Sequence, residues 1–248
     1  MSIGTPFRIL TVCTGNVCRS PLAERLLQSG LDEAAPGAFA VSSAGIRALV
    51  DKPAQPGSVK IAARLGASLE TFAARQLTER HIAEADLILV LAEAHRAPAL
   101  ALGPAALKRT FTLREFARIV ELLPGPTTRE TIQETWKRYV ADGDRIRHRV
   151  RLDDPRLNDV TDPFGLDQSA YERMADELVP AVSTLIRAAE PRRRRRLTVR
   201  GSRAELREAE RRQLAERRPL NAGSGSGTSG FGTSGFGTPG DGVPADGA

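Results

Sequence analysis

Apolar and polar positions along this chain fall into blocks that switch between strand-like and helix-like spacing. Phe7-Arg8-Ile9-Leu10-Thr11-Val12 is a short, mostly apolar run, as a buried parallel strand requires. Ser20 and Pro21 then read as an N-cap followed by proline at the first helical position. Leu22, Ala23, Leu26 and Leu27 recur at helical spacing and bury one face. A second strand is predicted at 39–43, ending in the turn Ser43-Ala44-Gly45, and a helix over 58–65 stops at Gly66. Asp86-Leu87-Ile88-Leu89-Val90-Leu91 is the clearest buried strand. Residues 93–102 continue as a helix closed by Gly103, and a fourth strand is placed at 108–112.

From Arg114 to Arg156 the pattern weakens. Thr128 is the expected cap of a helix running to about residue 141, with Ile132, Trp136, Tyr139 and Val140 on one face as packing residues. After a charged, Arg-rich stretch, Asp162-Pro163-Phe164-Gly165 is a turn. Residues 168–189 form a long closing helix with Tyr171, Met174, Leu178, Val182, Leu185 and Ile186 turned inward. Strands alternating with helices predict an α/β fold, a doubly wound parallel sheet with helices on both faces. Ligands bind such sheets at the carboxyl ends of the strands. The loop that begins at Cys13 sits at one of those ends.

Charge changes the picture only beyond residue 190. Residues 1–190 carry 24 Lys+Arg against 24 Asp+Glu, whereas residues 191–248 carry 12 Arg against 6 acids and hold the whole net charge of +6. The expected organisation is therefore a neutral folded domain over 1–190 and a basic tail over 191–248. The neutral domain excludes a fold devoted to specific nucleic-acid binding. In the tail, 192–196 is a run of five arginines, and Ser202 with Glu205 forms a capping box for a charged helix candidate running to about Arg217. The Gly/Ser/Thr-rich remainder repeats Gly-Thr-Ser-Gly-Phe and is expected to be disordered. An anionic partner for the arginine run, through counterion release, is the functional alternative to a solvated linker. The N-terminus lacks the pattern of a signal peptide and 86–94 is too short to span a bilayer, so the sequence reads as a soluble, cytoplasmic protein.

The chemistry concentrates in Cys13-Thr14-Gly15-Asn16-Val17-Cys18-Arg19-Ser20-Pro21. A cysteine followed six positions later by arginine is weak evidence in so Arg-rich a chain. The whole string is strong, because it places a thiol after a buried strand and a helix N-terminus behind it. Gly15 and Asn16 tolerate left-handed backbone, so the loop can turn its N–H groups inward as an anion cradle. Arg19 would hold two phosphate oxygens in its planar fork, and the same positive field favours the thiolate of Cys13. Ser20 is placed to donate a hydrogen bond to that sulfur. Asp162, on a rigid Asp-Pro turn, is the candidate general acid and base, and Phe164 and Leu49 are candidate walls of the substrate slot. The arginine and the loop amides carry the phosphoryl charge, so no metal or cofactor is expected.

The loop string, Ser43-Ala44-Gly45, Ala74-Arg75-Gln76 and Asp162-Pro163-Phe164 together resemble the low-molecular-weight protein tyrosine phosphatase family, over roughly residues 7–113 and 158–189. The resemblance implies a three-layer, four-stranded parallel sheet of flavodoxin-like topology and a phosphocysteine intermediate with no cofactor. It implies a phosphotyrosine-containing protein as substrate. It further implies that Asn16 and Ser43 brace the loop and that Cys18 is a reversible disulfide partner of Cys13; packing behind the loop is the plainer role for Cys18. Three features depart from the family pattern. Phe72 stands where many relatives have a loop-bracing histidine, Gly165 follows Phe164 and leaves a more open wall, and about 118–158 is an insertion. That insertion would either cover the active-site entrance or form a docking surface. His81, His95 and His148 lack ligand spacing and read as surface or capping residues.

Three other functions fit parts of the string. An arsenate reductase of the thiol-relay type needs cysteines after Cys18, and there are none, which leaves a reductase using an external thiol. A protein arginine phosphatase resembles this loop but with Thr in place of Val17. A phospho-binding module with an anion-binding tail would bind phosphopeptide without turnover.

Overall fold

The computed structural model describes residues 5–190. Its elements in chain order are β1 (Phe7–Cys13), α1 (Arg19–Ala34), β2 (Phe39–Gly45), α2 (Pro56–Arg64), α3 (Glu79–Glu84), β3 (Leu87–Val90), α4 (Arg96–Leu102), β4 (Thr110–Thr112), α5 (Leu113–Leu122), α6 (Ile132–Ile146) and α7 (Gln168–Ala189). The four strands form one parallel sheet in the order β2-β1-β3-β4. The chain thus winds outward from β1 in one direction and returns past it in the other, so the crevice between β1 and β3 is the topological switch point.

Alternation along the strands sorts side chains onto two faces. Phe7, Ile9, Leu87 and Leu89 join one core with residues of α1, α5, α6 and α7. Leu10, Val12, Ile88 and Val90 join a smaller core under α3 and α4. All four residues of β3 are buried, which explains its unbroken apolar run. The result is the three-layer, four-stranded parallel α/β fold expected from the sequence. Among the described residues no helix is long and apolar enough to cross a membrane.

Several local expectations change. The stretch predicted as one helix over 93–102 begins as a 3-10 turn at Glu93–His95 before α4, and β4 is shorter than predicted. The region of weak pattern contains α5. Its start is a capping box in which Thr112 accepts from the Glu115 N–H while the Glu115 carboxylate accepts from the Thr112 N–H. Leu113, Phe116, Ala117, Ile119 and Val120 then face inward. The next helix, α6, is capped by Thr131 with Glu134 rather than by Thr128, so it starts later than expected, and it runs on to Ile146. The short α3 is likewise closed by a Thr78–His81 box, so His81 is a capping residue.

The insertion is built into the core. Trp136 of α6 is fully buried, with its ring 4.9 Å from Phe39 and 5.7 Å from Phe7. Those phenylalanines open β2 and β1, so Trp136 packs at the amino ends of the strands, the opposite end from Cys13. Arg147, just past α6, lies 4.7 Å over the Phe111 ring and binds Glu115, which ties the insertion to β4 and α5. The arginine run and the Gly-rich repeats of the tail fall outside the described residues.

Trp136→Ala should lower stability by about 3–5 kcal/mol in urea titration. A loss below about 1 kcal/mol, the level of ordinary surface changes, would mean that α6 is a loose appendage rather than core.

Candidate active site

The site grows out of the end of β1. Cys13 is its last residue and is buried, and the next residues loop over to the N-terminus of α1. Five carbonyls of this loop are held from outside. Those of Cys13, Thr14 and Gly15 accept from the N–H groups of Ile46, Arg47 and Leu49, each at 3.0 Å. The Val17 carbonyl accepts from Gln55 N–H at 2.7 Å, and that of Cys18 from the Ser58 hydroxyl at 3.2 Å. With the carbonyls turned outward, the N–H groups of Thr14, Gly15, Val17 and Cys18 meet no protein acceptor among the described residues. They are free to donate to an anion, with the positive end of α1 behind them.

One residue supplies the backbone reversal. Asn16 has φ 54°, whereas Gly15 does not use the left-handed region its sequence would allow. The Asn16 N–H donates to Cys13 Sγ at 3.3 Å, and its side chain is bound on three sides. Its Oδ1 accepts from Arg75 N–H at 2.8 Å, and its Nδ2 donates to Ser20 Oγ and Ser43 Oγ, each at 2.9 Å. Ser43 in turn donates to the buried Glu24 carboxylate at 2.5 Å. Because both Asn16 protons are used, the Ser20 hydroxyl proton is free to point at Cys13 Sγ, 3.0 Å away. Ser20 is therefore not the helix cap expected from the sequence. Cys18 holds the cap position, without a side-chain cap bond, and Ser20 is spent on the sulfur.

The bracing closes without the family's histidine. Phe72 is a core residue, and Arg75 reaches Glu24 at 3.2 Å to balance its buried charge. Glu24 lies one turn beyond Ser20 on the buried face of α1, and a carboxylate among Leu22, Ala23, Leu26 and Leu27 was the sequence signal for it.

Arg19 is almost fully buried, with Nη1 donating to the Val160 carbonyl at 3.2 Å and Nη2 to Asp162 Oδ2 at 2.6 Å. Cys13, Arg19, Val17, Asp162, Leu49 and Phe164 thus line one cavity of about 150 Å³, with Leu49 and Phe164 exposed at its mouth. Arg47 stands on the same rim. Thr14, Gly15 and Cys18 complete the lining, and Ser43 lies behind the loop rather than in the cavity. Cys18 packs beneath the loop with its sulfur 3.8 Å from the Tyr171 hydroxyl, and burial pushes its thiol up to about 12. Both cysteines are free thiols. Among the described residues no group of three or more His, Cys, Asp or Glu is arranged to hold a metal ion.

The expectation for the histidines fails at His95. His148 is exposed, but His95 is buried at the turn after β3, with Nε2 3.0 Å from Thr14 Oγ1. Burial, helped by the Arg19 charge, lowers it from the usual 6.5 to about 4, so the ring is neutral. A histidine just past a strand that borders the switch point was the available signal, and the absence of ligand spacing concealed it.

This fold and loop define a small parallel-sheet phosphatase scaffold with its cysteine loop at the switch point. Residues 8–126 match the model of the low molecular weight phosphotyrosine protein phosphatase family. The chain is 41% identical over 118 residues to the low molecular weight protein-tyrosine-phosphatase Etp of Escherichia coli (strain K12), covering 48% of this chain and 76% of Etp. It is 42% identical over 107 residues to the probable low molecular weight protein-tyrosine-phosphatase EpsP of Ralstonia solanacearum, covering 43% of this chain and 70% of EpsP. Among solved structures it resembles the low molecular weight protein tyrosine phosphatase from T. tengcongensis, with TM-score 0.53, 27% identity, and coverage of 73% of this chain and 98% of that one. A mutant of YwlE arginine phosphatase with a phosphorylated active site serine gives TM-score 0.54 and 26% identity, covering 76% of this chain and 99% of that one. The chain belongs to the low-molecular-weight protein tyrosine phosphatase family.

The lowered His95 fixes a sign for pH dependence. The unfolded chain takes up a proton near pH 6.5 that the folded ring refuses until about pH 4. This contribution to stability is intact above pH 6.5 and is lost as pH falls toward 4. Thermal melts of His95→Gln across that window should therefore fall less steeply with acid than those of the wild type. Parallel slopes would show that His95 titrates normally.

Proposed function

We propose that this protein hydrolyses phosphotyrosine in protein substrates through a phosphocysteine on Cys13. The observation that carries the reading is the convergence of Cys13 Sγ, the Arg19 fork and the Asp162 carboxylate on one cavity walled by Leu49 and Phe164. In this reading Arg19 and the inward loop amides bind the phosphoryl oxygens, and the Cys13 thiolate attacks phosphorus in line with the aryl oxygen. The P–O bond to the ring breaks as S–P forms, and Asp162 passes its proton to the departing phenolic oxygen. Asp162, now a carboxylate, takes a proton from the water that attacks phosphorus. The S–P bond then breaks, releasing inorganic phosphate and restoring the thiolate, which the Ser20 hydroxyl stabilises as a leaving group.

The likeness to a structure described as an arginine phosphatase supports a second reading, in which the phosphoryl group comes from a guanidinium nitrogen. Val17 speaks against it. This buried side chain lines the cavity and offers no hydrogen bond to a guanidinium, but packs well against an aromatic ring.

Cys13→Ser should abolish hydrolysis of an aryl phosphate while retaining phosphate binding, and near-wild-type turnover by that variant would sink the assignment. Asp162→Ala should slow the reaction roughly 10²–10⁴-fold, least for substrates with good leaving groups. An equal loss on every leaving group would assign Asp162 a structural role. Phosphotyrosine peptide should be preferred to phosphoarginine peptide in kcat/KM, and the reverse order would replace the aryl reading by the guanidinium one.

A further inference from the structure

The cavity has a nucleophile loop on one side and the Asp162 segment on the other, and the two are separated by more than 140 positions in the chain. Catalysis by such a pair demands that their separation be held, since a misplacement of about 1 Å can cost 10²-fold in rate. Residues 91–95, between β3 and α4, touch both. Leu91 N–H donates to the Val12 carbonyl at 2.9 Å, which anchors the segment on β1 next to Cys13. From this base one arm reaches the loop, through His95 Nε2 and Thr14 Oγ1 at 3.0 Å. The other arm reaches the acid segment. Val160 N–H donates to the Leu91 carbonyl at 2.8 Å, and Glu93 N–H donates to Asp159 Oδ1 at 2.7 Å.

We propose that residues 91–95 act as a two-armed clasp across the switch point, with His95 and Asp159 as positioning residues that hold the phosphate loop and the Asp162 segment in register. The proposal rests on the phosphatase reading above. It assigns work to two side chains that touch neither the sulfur nor the phosphoryl site.

The arms are built differently. His95 is buried, and its Nδ1 has no hydrogen-bond partner. With the ring neutral, one tautomer leaves Nδ1 as an orphaned N–H and the other as an orphaned lone pair. A buried N–H without an acceptor is the rarer of the two defects in folded proteins. The favoured tautomer therefore carries its proton on Nε2 and donates to Thr14, so that the Thr14 hydroxyl acts as acceptor from the clasp. Asp159 is an acceptor by necessity, and its own carbonyl is held by Arg114 Nη1 at 2.9 Å, which fixes the residue from the other side. Val160, next in the chain, gives its carbonyl to Arg19 Nη1 at 3.2 Å. A shift of the Asp159 arm thus displaces Asp162, three residues on, while Arg19 stays seated at the start of α1.

The test is steady-state hydrolysis of a series of aryl phosphates of graded leaving-group acidity by the full chain, with inorganic phosphate as competitive inhibitor. Asp159→Ala should lower kcat for the poorest leaving groups about 10²-fold while the phosphate inhibition constant stays within about twofold. Asp159→Asn, which keeps the acceptor, should recover most of that loss. His95→Phe should instead weaken phosphate inhibition about tenfold with the leaving-group dependence of wild type. His95→Gln, whose amide can replace the Nε2 donor, should restore it, and Thr14→Val, which removes the acceptor and leaves the ring in place, should reproduce the His95→Phe defect. Asp162→Ala in the same series separates the two ideas. If it shows no leaving-group dependence, the general-acid reading fails. If it does and Asp159→Ala behaves as wild type, the clasp fails while that reading stands. Equal losses for every leaving group and every variant, tracking lowered melting temperature, would reduce both residues to structural support and overturn the proposal.

Discussion

Everything at this site depends on where the carbonyls of one seven-residue loop point. A backbone segment can offer an array of N–H donors to an anion only if its C=O groups are satisfied on the other side. Here Ile46, Arg47, Leu49, Gln55 and Ser58 draw the carbonyls outward, and Asn16 provides the left-handed turn that lets them. The donor array is preorganised by the surrounding sheet and needs no rearrangement when charge develops, which is the condition for electrostatic stabilisation to accelerate a reaction.

The side-chain chain behind the loop serves the sulfur in the same way. Ser43 donates to the Glu24 carboxylate, and Asn16, oriented by the Arg75 N–H, donates to both serines. Direction is thereby passed from a carboxylate on α1 to the hydroxyl that faces Cys13. The arrangement buries a carboxylate, which is costly unless it is paired, and Arg75 pairs it from the protein surface. A fully satisfied polar network of this kind rigidifies its surroundings and specifies one geometry, which suits a part whose use is positional.

Much of this was legible in the sequence because the first strand, the loop and its buried cysteine share a short stretch of chain. The run of residues 7–12, the loop string and the Asp-Pro turn each carry local signals, and the core face of α7 follows directly from its 3.6-residue spacing. What escaped is what depends on distant pairing. Ser20 looks like a cap and is taken by the sulfur, and His95 looks like a stray surface histidine until β3 is laid beside β1. The start of α5 was within reach, since Thr112 and Glu115 form a capping box, but its polar positions masked the apolar stripe. The insertion was ambiguous because composition does not say which end of a sheet a helix will cover; Trp136 packs α6 on Phe7 and Phe39 at the amino ends of the strands.

The central claim is that phosphate passes through Cys13, and the most direct measurement is to trap it there. Wild-type enzyme mixed with excess phosphotyrosine peptide, quenched in acid during turnover and mapped by mass spectrometry, should carry one phosphoryl group on the peptide containing Cys13. Phosphate on another residue, or hydrolysis proceeding with no phosphorylated enzyme when the quench is fast against turnover, would contradict the account.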